Sequence, residues 1–188
     1  VARHARRRVP KATRDDEYRQ LLEHAPNDLY RDLFVAMRWA GLRVSEAVGL
    51  RWDNVDLARL QITVIGKGNV ERTIDVLPET EAMLRRRLSH YTTIPPIGAS
   101  VFPRPNGRPL TTRAVQRTIQ TIRDKLGLPP ERLHPHSLRH AYATDLLNRG
   151  VPIHVVADQL GHASVATTQV YLWAQPGQAR RYFEGDGV

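Results

Sequence analysis

Four short segments of this 188-residue chain gather side chains able to work on a phosphodiester. They are Gly41-Leu42-Arg43-Val44-Ser45-Glu46, Gly66-Lys67-Gly68, His136-Ser137-Leu138-Arg139-His140, and Leu160-Gly161-His162 with Tyr171 nine residues further on. Breaking such a bond without a metal requires neutralising a phosphorane-like transition state and protonating the departing oxygen. Arginine offers a planar fork of N–H donors that can hold two non-bridging oxygens at once, so Arg43 and Arg139 are the candidates for a phosphate clamp. Glu46 stands three residues beyond Arg43 and can pair with it on one helical face, either as a plain salt bridge or as the group that orients the guanidinium. Lys67 sits in a glycine-rich turn. Lysine, unlike arginine, shifts its pKa readily enough to release a proton near neutral pH.

The histidines have two readings. His136 and His140 are four apart, a spacing that on a helix could hold zinc. No glutamate lies between them and Arg139 would repel a cation there, so no metal and no other cofactor is expected. His136 is better placed to hydrogen-bond a phosphate or accept a proton, and His140 to pack internally as support. His134 reads as ordinary loop. His162 follows Gly161 at an expected helix end, where its side chain can leave the core.

The elements that must position these groups are legible in outline. Helices are expected over 14–24, with Thr13 as N-cap, and over 28–40, closed by Gly41, followed by a short helix at 44–49. Leu60 to Val64 alternates apolar and polar residues, and Arg72 to Val76 does so again after the Gly66-Lys67-Gly68-Asn69 turn, which predicts an antiparallel hairpin. Further helices are expected at 79–91, 112–126, 136–149, 152–160 and 164–174. A loop-rich stretch from Pro95 to Pro109 holds a brief strand at Val101-Phe102. The predicted fold class is mostly α with a small antiparallel β-sheet (α+β).

The bulk composition narrows the function. The formal net charge is +9, the hydrophobic content is 41%, and there is no cysteine. Disulfides, thiolate nucleophiles and cysteine-based zinc sites are excluded. The charge points to a polyanion, nucleic acid before membrane because no amphipathic anchor is evident, and neither an apolar span nor a leader is visible. A cytoplasmic protein of a bacterium, or of a phage acting in one, is the expectation. Residues 1–12 carry Arg6, Arg7, Arg8 and Lys11 with little to bury. They read as a basic arm or linker that contacts DNA, ahead of a catalytic domain at 13–175 and a tail at 176–188.

In this order and spacing the four segments resemble the tyrosine recombinase (phage integrase) family, which includes the Xer-type resolvases. The resemblance covers residues 13–175. It implies that Tyr171 is the nucleophile, since it alone of the six tyrosines has the family spacing from His162. It also implies Arg43, Arg139, His136 and His162 around the phosphate, and Lys67 as general acid on the hairpin. The implied reaction forms a 3′-phosphotyrosyl bond and frees a 5′-hydroxyl, with no ATP or metal. The implied partner is a double-stranded DNA recombination site, on which monomers assemble as a homotetramer and exchange strands through a Holliday junction. Family members usually carry a helical DNA-clamping domain ahead of the catalytic one, so the chain reads as an excised fragment, with a naturally compact integrase as the alternative. The alternatives are a type IB topoisomerase, which normally differs around His136 to His140, and a basic DNA-binding module without catalysis.

Overall fold

The structure is a computed structural model in which residues 11–66 and 71–161 are described. The chain runs α1 (Asp15–Glu23), α2 (Asp28–Trp39), α3 (Val44–Gly49), a single 3-10 turn (Trp52–Asn54), β1 (Val55–Asp56), β2 (Gln61–Ile65), β3 (Glu71–Asp75), α4 (Pro78–Leu88), α5 (Thr112–Lys125), α6 (Pro135–Asn148) and α7 (Ile153–Leu160). The α+β class is as expected. Among these elements no helix is long and apolar enough to cross a membrane.

The sequence explains the starts of four helices. Asn27 caps α2 through Tyr30 N–H, and Thr111 caps α5 through Ala114 N–H, each at 3.2 Å. Prolines open α4 and α6, where the missing N–H costs nothing. On α5, Val115, Ile119 and Ile122 recur at helical spacing and are buried. The sheet is antiparallel with order β1-β2-β3, and Ile62 pairs with Ile74 across the hairpin, both fully buried. The main core gathers α1 to α5 and this sheet, while a smaller cluster of Tyr142, Ala143, Leu146, Leu147, Val156 and Leu160 joins α6 to α7.

Three expectations require correction. Thr13 is not the N-cap of α1. Arg14 holds that position, with its N–H donated to Glu17 Oε2 at 2.9 Å, and Thr13 is buried with its hydroxyl 2.6 Å from Ser137 Oγ. The strand at Val101-Phe102 does not form. Both residues are buried, but only isolated bridges, Arg51 with Ser100 and Pro103 with Pro109, flank them. The first hairpin strand begins one residue late because Leu60 adopts φ 54° in the tight turn from β1. The expected helix at 164–174, the arm up to residue 10 and the tail at 176–188 lie outside the described residues.

Candidate active site

The site is organised around one carboxylate. Glu46 is the third residue of α3 and reaches back to accept the N–H of Arg43, which precedes the helix, at 2.7 Å. It therefore supplies the N-terminal cap that the local sequence otherwise lacks. The other Glu46 oxygen takes Arg43 Nη1 at 2.7 Å. Arg72 then approaches from β3 with a two-pronged pair, Nη1 to Oε1 and Nη2 to Oε2, both 2.8 Å. Arg139 Nη1 stands 3.9 Å from Oε2. Burial would raise the Glu46 pKa. The hydrogen bonds from Arg72, and then from Arg43, outweigh it and hold the carboxyl at about 2. The carboxylate is thus ionised and fixed, and three guanidinia face one negative charge.

Helix ends supply the remaining anchors. The Arg43 guanidinium also donates to Gly161 O at 3.3 Å, at the end of α7. Arg139, from the second turn of α6, donates to Gly41 O and to Leu160 O. Carbonyls at helix C-termini carry partial negative charge and lack intrahelical donors, so cationic groups suit them. Two turns must be shaped for this. Gly41 has φ 58°, and a Cβ there would lie 2.4 Å from the Tyr142 ring; Gly161 has φ 59° and closes α7. Arg139 is almost fully buried, whereas the Arg43 side chain is 33% exposed.

The start of α6 is built as a separate unit. His134 is its N-cap, not ordinary loop: Nδ1 accepts Ser137 N–H at 3.2 Å. Ser137 is fully buried, takes the His134 N–H at 2.9 Å, and returns its hydroxyl proton to His134 O at 2.8 Å. The serine of the His136-Ser137-Leu138-Arg139-His140 segment therefore closes a capping box and bonds Thr13. Burial, then the neighbouring His136, lower the His134 pKa from its ordinary value, which keeps Nδ1 available as acceptor. His136 sits exposed one residue into the helix, its ring centre 6.4 Å from that of His134. His140 is half-buried on the next turn.

The structure thus brings Arg43, Glu46 and Arg139 together as the sequence suggests, and sets His136 at the N-terminus of the helix that carries Arg139. Lys67, His162 and Tyr171, with Arg6, Arg7 and Arg8, lie outside the described residues. Lys11 is described; it is largely exposed and stands 3.8 Å from Glu131. Two rival tyrosines are unsuited to attack. Tyr142 is 2% exposed, and burial, then Asp75, push its phenol up to about 12. Burial raises Tyr18 still further. Arg72 was missed by the reading of motifs. The signal was present: Arg72 shares strand parity with Ile74 and Val76, both buried, and an arginine on an apolar face needs a carboxylate.

Known proteins share much of this sequence and fold. The model described as "Phage integrase family" matches residues 11–177. Tyrosine recombinase XerC of Actinobacillus pleuropneumoniae serotype 7 is 37% identical over 172 residues, covering 89% of this chain and 56% of that protein. XerC of Azotobacter vinelandii is 39% identical over 171 residues, covering 88% and 56%. The chain therefore spans about half the length of these curated relatives. Among solved structures, XerA recombinase superposes with a TM-score of 0.76 at 26% identity, covering 99% of this chain and 66% of the other. XerH site-specific recombinase, in a post-cleavage complex with a palindromic difH substrate, gives 0.73 at 24% identity, covering 98% and 56%, a likeness of fold.

Proposed function

The chain belongs to the phage integrase family, and from that premise we propose that it is the strand-transfer domain of a tyrosine recombinase acting on double-stranded DNA. The observation that carries the reading is the pair of guanidinia from Arg43 and Arg139, held by one ionised glutamate and by the carbonyl ends of α2 and α7. Such preorganised donors stabilise charge that develops on phosphate oxygens and need no reorganisation during reaction.

In the proposed reaction the Tyr171 oxygen attacks the scissile phosphorus and the P–O bond to the 5′-carbon breaks. A 3′-phosphotyrosyl bond forms, and the 5′-oxygen leaves as a hydroxyl with a proton from Lys67. His136 and His162 bond the phosphate and relay the tyrosine proton. A 5′-hydroxyl from a partner duplex then attacks the phosphotyrosine and restores the diester. One diester is exchanged for another at each step, so the balance needs no nucleotide cofactor. The net charge of +9 supports a DNA partner, with Lys11 and the arginines at 6–8 contacting backbone phosphates. The fuller assembly we propose is a homotetramer on two recombination sites, formed from monomers in a bacterial cytoplasm.

A direct test offers the full chain a library of duplexes with a randomised core and a nick near the scissile position, so that cleavage loses a short strand and cannot reverse. Protein–DNA adducts that survive denaturation are isolated and their DNA sequenced. The proposal expects adducts joined at the 3′ end of the cleaved strand, with junction products when two selected duplexes are supplied. Binding without any adduct would indicate a non-catalytic module. Adducts that only reseal, with no exchange between duplexes, would indicate topoisomerase chemistry.

A further inference from the structure

We propose that Arg72 is the positioning residue of the phosphate clamp, an inference that rests on the strand-transfer reading. Its side chain is 9% exposed. All three guanidinium nitrogens are committed inside the protein: two to the Glu46 oxygens, and Nε to Gln159 O at 3.0 Å. Its stem fills the space a side chain at Gly161 would need, since a Cβ there would lie 2.7 Å from Arg72 Cδ. Arg72 therefore touches the carboxylate that holds Arg43 and, at the same time, the helix end whose carbonyls hold Arg43 and Arg139.

The pattern of bonds shows why this fixes the clamp. Each Glu46 oxygen receives one bond from Arg43 and one from Arg72. With Arg72 in place the carboxylate cannot turn, and Arg43 is held against a fixed partner. Without it, Glu46 answers chiefly to Arg43 and follows that side chain instead of fixing it. A second lock keeps β3 against α7: the Gln159 side chain accepts Asp75 N–H and donates to the Asp75 carboxylate, both at 2.9 Å. Lysine cannot replace Arg72, because a single ammonium cannot span both carboxylate oxygens and a backbone carbonyl in one plane.

The test compares wild type, Arg72→Lys and Glu46→Asp as full chains. Each is assayed on a duplex selected as above and on the same duplex with a methylphosphonate at the scissile position. That linkage lacks one charged non-bridging oxygen and so needs less from the clamp. Arg72→Lys should bind the duplex as tightly as wild type but form adduct about 10- to 100-fold more slowly, the size seen when outer hydrogen-bond partners of ligating groups are removed. On one methylphosphonate stereoisomer most of that loss should disappear. Glu46→Asp keeps the charge, shortens the reach and should show the same selectivity, so it carries the test if Arg72→Lys melts below assay temperature. Adduct formation within about threefold of wild type by the folded variants, or an equal loss on both linkages, would overturn the proposal. If wild type itself forms no adduct, the strand-transfer reading has failed instead.

Discussion

Among the described residues arginines hold several enclosed carboxylates, and two of these, Asp32 and Glu46, serve different ends. Asp32, 1% exposed, pairs with Arg86 and with Arg87 Nη1 at 3.0 Å. Arg87 also donates Nε to Val101 O and lies 5.1 Å over the Phe102 ring. That cluster ties α2 to α4 and to the loop at 100–102, with the Arg87 side chain mostly buried and that of Arg86 exposed. The Glu46 side chain is enclosed to a similar degree, yet three guanidinia surround it, from Arg43, Arg72 and Arg139. Arginine pairing with a buried acid is thus a common way to close this fold. What sets the Glu46 cluster apart is a third guanidinium on one carboxylate and the anchorage of Arg43 and Arg139 on two helix ends.

The sharpest way to break that distinction is to change one arginine in each cluster. Arg43→Lys or Arg139→Lys should slow single-turnover cleavage by about 10²- to 10³-fold, the loss expected for one preorganised donor. Arg87→Lys should leave cleavage unchanged and lower unfolding stability by about 1–3 kcal/mol, because its partners stay buried. Similar catalytic losses in both would erase the difference. Gly41→Ala comes next. It forces a side chain into φ 58° and against the Tyr142 ring, and should cost about 2–5 kcal/mol in denaturant melts.

Acid titration sharpens the comparison further. The Glu46 pKa is depressed to about 2, so its contribution is complete above the unfolded-state pKa near 4.3 and is lost as pH falls toward 2. Glu46→Gln should remove on the order of 2–3 kcal/mol of the stability that wild type gains over that interval, read from urea midpoints at each pH. The smallest effect is at His134, whose pKa is lowered from 6.5. The unfolded chain then takes up the proton first as pH drops below about 6.5, so the cap stabilises above that pH and weakens below it. His134→Ala should cost about 1 kcal/mol near pH 7, and His134→Asn only a few tenths. Neither variant should retain the wild-type fall in stability on acidification.

The helices and the hairpin were legible because their apolar residues repeat with the period of the element, as on α5 and β2. Two residues of β1 carry no such period, so that strand and the 3-10 turn before it could not be seen. Arg43, Glu46 and Arg139 were legible because their types and spacing fit one chemistry. Arg72 was not, because its partners arrive through the fold: Glu46 is 26 residues away and Gln159 is 87. His134 was missed because histidine is an uncommon cap, and only the approach of Ser137 gives its Nδ1 something to accept.

In the proposed reaction Tyr171 is the group that becomes bonded to DNA. Wild-type adduct, digested with nuclease to a short nucleotide remnant and then with protease, can be mapped by fragment mass spectrometry. The remnant should sit on the peptide containing Tyr171, linked through a 3′-phosphate, and Tyr171→Phe should bind DNA normally while giving no adduct. A remnant on Tyr182 or any other residue, or undiminished adduct from Tyr171→Phe, would contradict it.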